Sequence, residues 1–130
     1  MTMALEYTLP AYLMAHAGLS ALVGDKVYPD MEPQNVEQPY VCFEVISREK
    51  LYTHDGYTTT SIYSLQVSTY AASKDDAIEI AAQVFAAMDA WPTAAPDNVG
   101  FCVQEGEGGI WVEGIDLYCI DQDYAIFYNE

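Results

Sequence analysis

The chain has 130 residues, a length that fits one domain. Hydrophobic residues make up 52% and charged residues 18%, a balance typical of a packed globular domain and not of a disordered segment. No apolar run approaches the ~20 residues that a membrane helix needs. Acidic residues number 20 against 4 basic ones, for a net charge of -16. This charge argues against nucleic-acid binding, which depends on cations that neutralise phosphates.

The first part of the chain predicts helices followed by an ordered loop. From residue 3 to about residue 15, apolar residues recur at three- and four-residue steps, although Pro10 is expected to kink or break this helix. Residues 19–23 predict a second short helix, and Val27 begins a short extended piece. Residues 29–39 contain three prolines and are expected to form a loop.

A long β-hairpin is predicted next. From Tyr40 onward, apolar side chains alternate with a period of two, as in a strand. A second alternating strand is expected from about Thr58 to Tyr70. The pair Asp55-Gly56 is a hairpin turn signal. Residues 47–60 are mostly polar, so the tip of the hairpin is expected to extend beyond the sheet.

The clearest predicted element is a helix from Lys74 to Ala90. Ser73 is its expected N-cap, and acidic residues in the first turn favour the helix dipole. Pro92 is expected to end it. The predicted apolar face comprises Ala77, Ile78, Ala81, Val84, Phe85, Met88 and Trp91.

The last third predicts strands separated by a turn. Residues 101–104 predict a strand, residues 105–109 a glycine-rich acidic β-turn, and residues 110–118 an extended segment. A final strand is expected over residues 121–128. Its alternating acids are expected to line a strand edge, where charge blocks unwanted pairing.

These elements predict a single domain, residues 1–130, of the α+β class. A mixed, mainly antiparallel sheet with a long β-hairpin is expected, with an N-terminal helix and one central helix packed on it. The first residues lack the basic region and cleavage pattern of a signal peptide, so synthesis in the cytoplasm is expected.

No catalytic or metal-binding constellation stands out in the sequence. His54 lies beside Asp55 in a predicted solvated turn, and His16 follows an apolar helix. The Asp-x-Asp motif at Asp121 lacks the glycine and closing glutamate of a calcium loop. Three cysteines without CxxC spacing predict reduced, buried thiols. We therefore expect no enzymatic activity, no cofactor and no metal.

Three segments carry a resemblance to a known family. Residues 22–29, LVGDKVYP, form a Gly-x-x-Val-Tyr-Pro-like turn after a helical start. Residues 39–47, PYVCFEVIS, form a strand that opens with Pro-Tyr-Val, and residues 65–71 end in a Tyr-Ala step before a helix. In their order and spacing, over about residues 5–91, these segments resemble the tail-completion or tail-terminator proteins, minor tail proteins of long-tailed bacteriophages and prophages.

The resemblance implies a structural virion protein located in the tail and assembled in the bacterial host cytoplasm. It implies a homo-oligomeric ring, commonly a hexamer, that caps the head-proximal end of the tail tube. Such a ring stops tube growth and joins tail to head. The implied partners are the protein itself, the tail tube protein and the head-tail connector or stopper protein. No membrane partner and no sequence-specific nucleic-acid binding are implied, although DNA passes through the channel.

Two groups of side chains are candidates for these roles. Eleven tyrosines against four phenylalanines favour interface use, and two of the four cations lie in the predicted hairpin, where they are expected to pair with a neighbour's carboxylates. The expected interface residues at the hairpin tip are Arg48, Lys50, Tyr52, His54 and Tyr57. The acids expected to face the channel and let DNA slide are Glu105, Glu107 and Glu113.

Two other functions fit the same sequence. The first is a head-tail connector or stopper subunit, which would lie on the portal side and not at the end of the tube. The second is a small acidic module that binds a basic host protein. A monomer that binds such a host protein would favour the module.

Overall fold

The computed structural model describes residues 5–29, 37–94 and 99–129. Most of the predicted 29–39 loop and the predicted start of the first helix therefore lie outside the described residues. The described elements are α1 Leu5–Ala15, α2 Ala17–Val23, β1 Val27–Pro29, β2 Tyr40–Thr53, β3 Gly56–Ala71, α3 Lys74–Ala94, β4 Val99–Val112 and β5 Leu117–Asn129. They confirm the predicted α+β class.

The five strands form one sheet in the order β1-β2-β3-β5-β4. The short β1 pairs with β2 in parallel, over three residues, and every other pairing is antiparallel. The mixed, mainly antiparallel sheet and the long β2–β3 hairpin are therefore as predicted. No helix in the described ranges is both long and apolar enough to cross a membrane.

The main hydrophobic core lies between the helices and one face of the sheet. β3 supplies a regular row of buried side chains to this face, because alternate residues of a strand point the same way. The row consists of Ser61, Tyr63, Leu65, Val67, Thr69 and Ala71. The intervening residues of β3 point to the opposite face, which we call the open face.

α3 is the central helix of the core. The backbone N–H of Asp76 donates to Ser73 Oγ at 3.2 Å, which confirms the predicted N-cap. The buried residues of the helix are Ala77, Ile80, Ala81, Val84, Ala87, Met88 and Trp91. The predicted apolar face was wrong at Ile78 and Phe85, which are exposed, because the helix is apolar on more than one side and the sheet selects only one.

Neither internal proline ends its helix. α1 continues through Pro10, and α3 continues past Pro92, where its end was predicted. A proline removes one backbone donor, and packing around it can offset that loss. Here Trp91, directly before Pro92, is fully buried and holds the last turn of α3 against the core.

The glycine-rich segment was predicted as a β-turn, and this was wrong. It lies inside β4, which pairs with β5 without interruption from Gly106 to Val112, and the chain reverses after Val112 instead. The side chain of Tyr118 explains why residue 109 is a glycine, because a Cβ atom there would lie 2.6 Å from the Tyr118 hydroxyl oxygen. Pairing with β5 thus overrides the local turn preference of the glycines.

The predicted strand-edge position of the alternating acids was also wrong. Asp121 and Asp123 lie on β5, which is flanked by β3 and β4. Both side chains belong to the open face, because they lie opposite Ser68 and Gln66 of β3. Their charge therefore marks a sheet face and not an edge.

Candidate assembly surfaces

The β2–β3 hairpin extends beyond its neighbours in the sheet. β5 ends at Asn129, which lies opposite Thr60, whereas β2 and β3 continue to pair as far as Thr53 and Gly56. Gly56 closes the turn with a φ of 109°, a conformation that favours glycine. We call residues 51–59 the hairpin extension. Its side chains are mostly exposed, as predicted for a protruding tip.

The two cations predicted at the tip lie instead at the base of the hairpin extension. Arg48 lies opposite Tyr63, with its Cζ 5.6 Å from the ring centroid, and its Nε donates to Ser61 Oγ at 3.4 Å. Lys50 Nζ lies 5.0 Å from the ring centroid of Tyr57. Cation–π contact of this kind orients both cations.

The aromatic members of the predicted set lie on the hairpin extension itself. The Tyr52 and Tyr57 rings are 5.8 Å apart, and Tyr52 is 63% exposed. His54 lies in the exposed turn. The structure thus brings Arg48, Lys50 and the two tyrosines together along one hairpin, with His54 at its end.

The three acids predicted to face a channel lie in different local settings. Glu105 lies at a bulge between Gln104 and Gly106, and Glu113 lies just after β4. The carboxylate of Glu107 accepts from the Gln122 side chain at 2.9 Å and from Gln104 at 3.4 Å. Because Gln122 is fully buried and also donates to the Ala81 carbonyl of α3, Glu107 lies on the helix-bearing side of the sheet.

A second group of acids, which the sequence analysis did not bring together, lies on the open face. Ser68 Oγ donates to Asp121 Oδ1 at 2.6 Å, and Gln66 Nε2 donates to Asp123 Oδ1 at 3.4 Å. Glu44 of β2 lies opposite Gln66 and is exposed. The centre of the open face is therefore acidic, with carboxylates on β2 and β5, and hydrogen bonds join the β5 carboxylates to β3.

A concavity of ≈ 330 Å³ lies in this face. Glu44, Asp121, Tyr70 and Cys119 are among its lining residues, and Ile110 and Val112 of β4 form an apolar side. Burial raises the pKa of Cys119 to about 12, and the neighbouring carboxylate of Asp121 adds to the shift. A thiol held protonated in this way is a poor nucleophile.

The remaining thiols are also buried, as predicted. Cys42 lies on the open face, and Cys102 lies beneath α3. Burial raises the pKa of Cys102 to about 12, with a further contribution from the charge of Asp89. Within the described ranges, no group of three or more His, Cys, Asp or Glu residues comes together to hold a metal ion.

Both outer edges of the sheet carry exposed apolar side chains. On β4, Ile110 is 63% exposed and Trp111 is 45% exposed. On β2, Ile46 and Leu51 are exposed beyond the short segment that β1 covers. Isolated exposed apolar residues are common, but several along a strand edge favour a contact with another protein.

The fold and these surfaces define a class: a small α+β domain with a protruding hairpin and exposed apolar side chains along its strand edges. The same fold occurs in a chain from a solved structure entitled "Virion of native gene transfer agent (GTA) particle". That chain has a TM-score of 0.78 and 21% identity, over 99% of this chain and 100% of that chain. No curated protein gave a significant match.

The family model for tail completion protein gp17 matches residues 8–105, and the chain belongs to this family. The match confirms the predicted resemblance to tail-completion proteins. It also confirms the predicted location: the protein is a structural component of the virion tail.

Proposed function

We propose that the protein forms a homohexameric ring that caps the head-proximal end of the tail tube and joins it to the head-tail connector or stopper protein. In this role it stops the growth of the tube and has no enzymatic activity or cofactor. Family membership supports a place in tail completion. The observation that carries the ring is the β2–β3 hairpin, whose exposed extension and base present a surface that the chain's own core does not use.

Charge explains how copies with so many acids can associate. The net charge of -16 makes copies of the chain repel one another. Arg48 and Lys50 are half of all its cations, and both lie at the base of the hairpin extension. In a ring each copy presents one surface to a different surface of the next copy. We assign Arg48 and Lys50 to pairing with a neighbour's carboxylates, which sets the register between copies.

The exposed aromatic residues supply the apolar part of this contact. Tyr52 and Tyr57 offer contact area with a polar tip, a combination enriched at interfaces. His54 lies at the end of the hairpin, where it contacts the neighbour or the tube. That Glu105, Glu107 and Glu113 face a channel through which DNA slides remains a prediction.

The test compares two double variants that change the net charge equally. Arg48→Glu with Lys50→Glu reverses the hairpin cations, and Lys26→Glu with Lys74→Glu reverses the other two. Both doubles are expected to keep the fold, measured by circular dichroism and thermal unfolding. We expect only the hairpin double to lose ring formation, measured by sedimentation with and without purified tail tubes.

Tail length provides the functional readout. Phage deleted for the gene is expected to produce tails of abnormal length that are not joined to heads, as seen in electron micrographs. The hairpin double should reproduce this defect, and the control double should restore normal tails. Normal joined tails in the absence of the gene would refute the proposed function. A wild-type protein that stays monomeric and binds a basic host protein would favour the host-binding module instead.

A further inference from the structure

The sheet has two edges that pair with no other strand in the described part of the chain. β1 pairs only with Val41–Phe43 of β2, so β2 has a free edge from Glu44 to Thr53. β4 is the last strand on the other side and pairs only with β5. Each edge presents a row of backbone N–H and C=O groups to whatever lies beside it.

The β4 edge lacks the usual protection against pairing. Proteins commonly protect an edge strand with lysine, proline or bulges. β4 has 14 residues and contains no lysine, arginine or proline. Its bulges lie before Gly106, and the stretch from Gly106 to Val112 pairs regularly with β5. This stretch includes the exposed Ile110 and Trp111, so β4 is open to a partner strand.

The charges of the two edges are complementary. The free segment of β2 carries Arg48 and Lys50 together with Glu44 and Glu49, whereas the charged residues of β4 are all acidic, Glu105 and Glu107. The chain has four cations in total, and two of them lie close together on the β2 edge, where they can attract an acidic neighbour. Complementary charge sets both the partner and the register of a contact.

The directions of the two edge strands are complementary as well. β2 is antiparallel to β3, β3 to β5, and β5 to β4, so β4 runs opposite to β2. When two copies stand side by side in the same orientation, β4 of one meets β2 of the next in antiparallel fashion. Antiparallel pairing gives the more stable ladder. The ten residues of β2 from Glu44 to Thr53 span about 33 Å, which is ample for such a ladder.

We propose that β4 of one copy pairs with the free edge of β2 in the next copy, so that the ring is joined by an intersubunit β-ladder. This inference rests on the proposed ring. Within one chain, the register partners across the sheet place Arg48 of β2 at the same height as Cys102 of β4. Glu105 lies three residues further along β4. Strand tilt in a closed sheet staggers neighbouring strands, and a stagger of three residues would bring Glu105 of one copy level with Arg48 of the next.

The first test is rescue by reciprocal charge reversal. Arg48→Glu with Lys50→Glu alters the β2 edge, and Glu105→Arg with Glu113→Arg alters β4 and the turn after it. Each double is expected to weaken ring formation at least about tenfold, and the four changes together should restore it. As the matched control, Glu79→Arg with Asp89→Arg on α3 makes the same charge change, and it should neither block assembly nor rescue the hairpin double.

The second test measures the protection of the β4 backbone amides directly. Hydrogen exchange of β4 peptides should be faster in the monomer than in the ring, because the ladder protects outward-facing N–H groups. A ring whose β4 amides stay unprotected, or a failed rescue, would overturn the ladder and leave the capping function standing. Variants that still form rings but no longer bind tubes would assign the edges to the tube protein. A wild-type chain that forms no ring even on tubes would remove both proposals.

Discussion

The ring of Tyr12 in α1 lies nearly parallel to that of Trp91 in α3, with the ring centroids 4.8 Å apart and the planes 9° apart. The Tyr12 hydroxyl also donates to the Ala87 carbonyl. Residues 79 positions apart in the sequence thus form one stacked contact that joins the first helix to the central helix. Since Trp91 is fully buried, this contact belongs to the core.

Replacement of this tryptophan should destabilise the fold strongly. Trp91→Ala removes the stack and leaves a cavity, so we expect a loss of about 3–5 kcal/mol in the free energy of unfolding, measured with urea. Trp111→Ala provides the control, because Trp111 is 45% exposed on β4. Its expected effect is smaller, about 1–2 kcal/mol. Similar losses in the two variants would contradict the core position of Trp91.

A buried glutamine connects the sheet to α3. Gln122 donates to the Ala81 carbonyl at 3.0 Å and to Glu107 at 2.9 Å. Gln122→Glu would place a second negative charge against these acceptors, and we expect a loss of about 3 kcal/mol or more near neutral pH. Acidification should reduce that loss, because protonation of the introduced carboxyl restores a donor.

The control for this variant is Gln66→Glu, which likewise adds one charge beside a carboxylate, that of Asp123. Gln66 lies on the open face, where solvent screens the charge, so its expected effect is under about 1 kcal/mol. Urea unfolding of both variants at pH 7.5 and pH 5 distinguishes them. If both variants lost the same free energy of unfolding, or if the loss in Gln122→Glu did not depend on pH, the amide contacts of Gln122 would not be the cause of the destabilisation.

The buried thiols should react slowly in the folded protein. The pKa of Cys102 and of Cys119 is raised from 9.0 to about 12, which lowers the thiolate fraction at pH 8 roughly a thousandfold. We expect little alkylation by iodoacetamide under native conditions and rapid alkylation of these two cysteines in urea. Rapid native labelling of either residue, located by mass spectrometry, would contradict this assignment.

The same two thiols make stability depend on alkaline pH. In the unfolded chain they lose their protons near their ordinary pKa of 9.0, whereas the folded chain retains them to about 12. The folded state therefore binds more protons between these values, and the free energy of unfolding should fall as the pH rises through this range. Urea titrations at several pH values measure the slope. Cys102→Ala with Cys119→Ala should flatten it, and an unchanged slope in that double would assign the effect to other groups.

Two adjacent glycines test the position of β4. A Cβ atom at Gly109 would contact the Tyr118 ring, whereas nothing lies within 4 Å of one at Gly108. Gly109→Ala should cost about 1–3 kcal/mol of stability by overpacking, and Gly108→Ala much less. Thermal unfolding of the pair is the measurement. If the two substitutions had equal effects, Tyr118 would not lie over Gly109.

Patterns that depend on local sequence were predicted well. The alternation in β3 identified the buried row that includes Leu65 and Val67, and Ser73 identified the start of α3. The failures needed information from distant residues. Glycines in β4 have no side chains to show alternation, and they extend because β5 lies beside them. Similarly, only the packed sheet distinguishes the buried Ile80 from the exposed Ile78.

The candidate surfaces also include residues that the local sequence could identify and residues that only the folded sheet brings together. Arg48 and Lys50 could be identified from the sequence because cations are rare in this chain and both precede a turn signal by a few residues. Their position at the base of the hairpin, over Tyr63 and Tyr57, requires the strand register. The acidic centre of the open face could not be predicted, because Glu44 and Asp121 come together only once β3 lies between β2 and β5.

The placement of the hydrophobic core on one face of the sheet separates two requirements that often compete. Residues that hold the subunit together lie under the helices, and those assigned to contacts lie on the hairpin and the strand edges. Evolution can therefore refit the protein to a different tube or connector by altering surface positions, without loss of its ability to fold. A lineage of such subunits should keep its interior while its contact residues diverge.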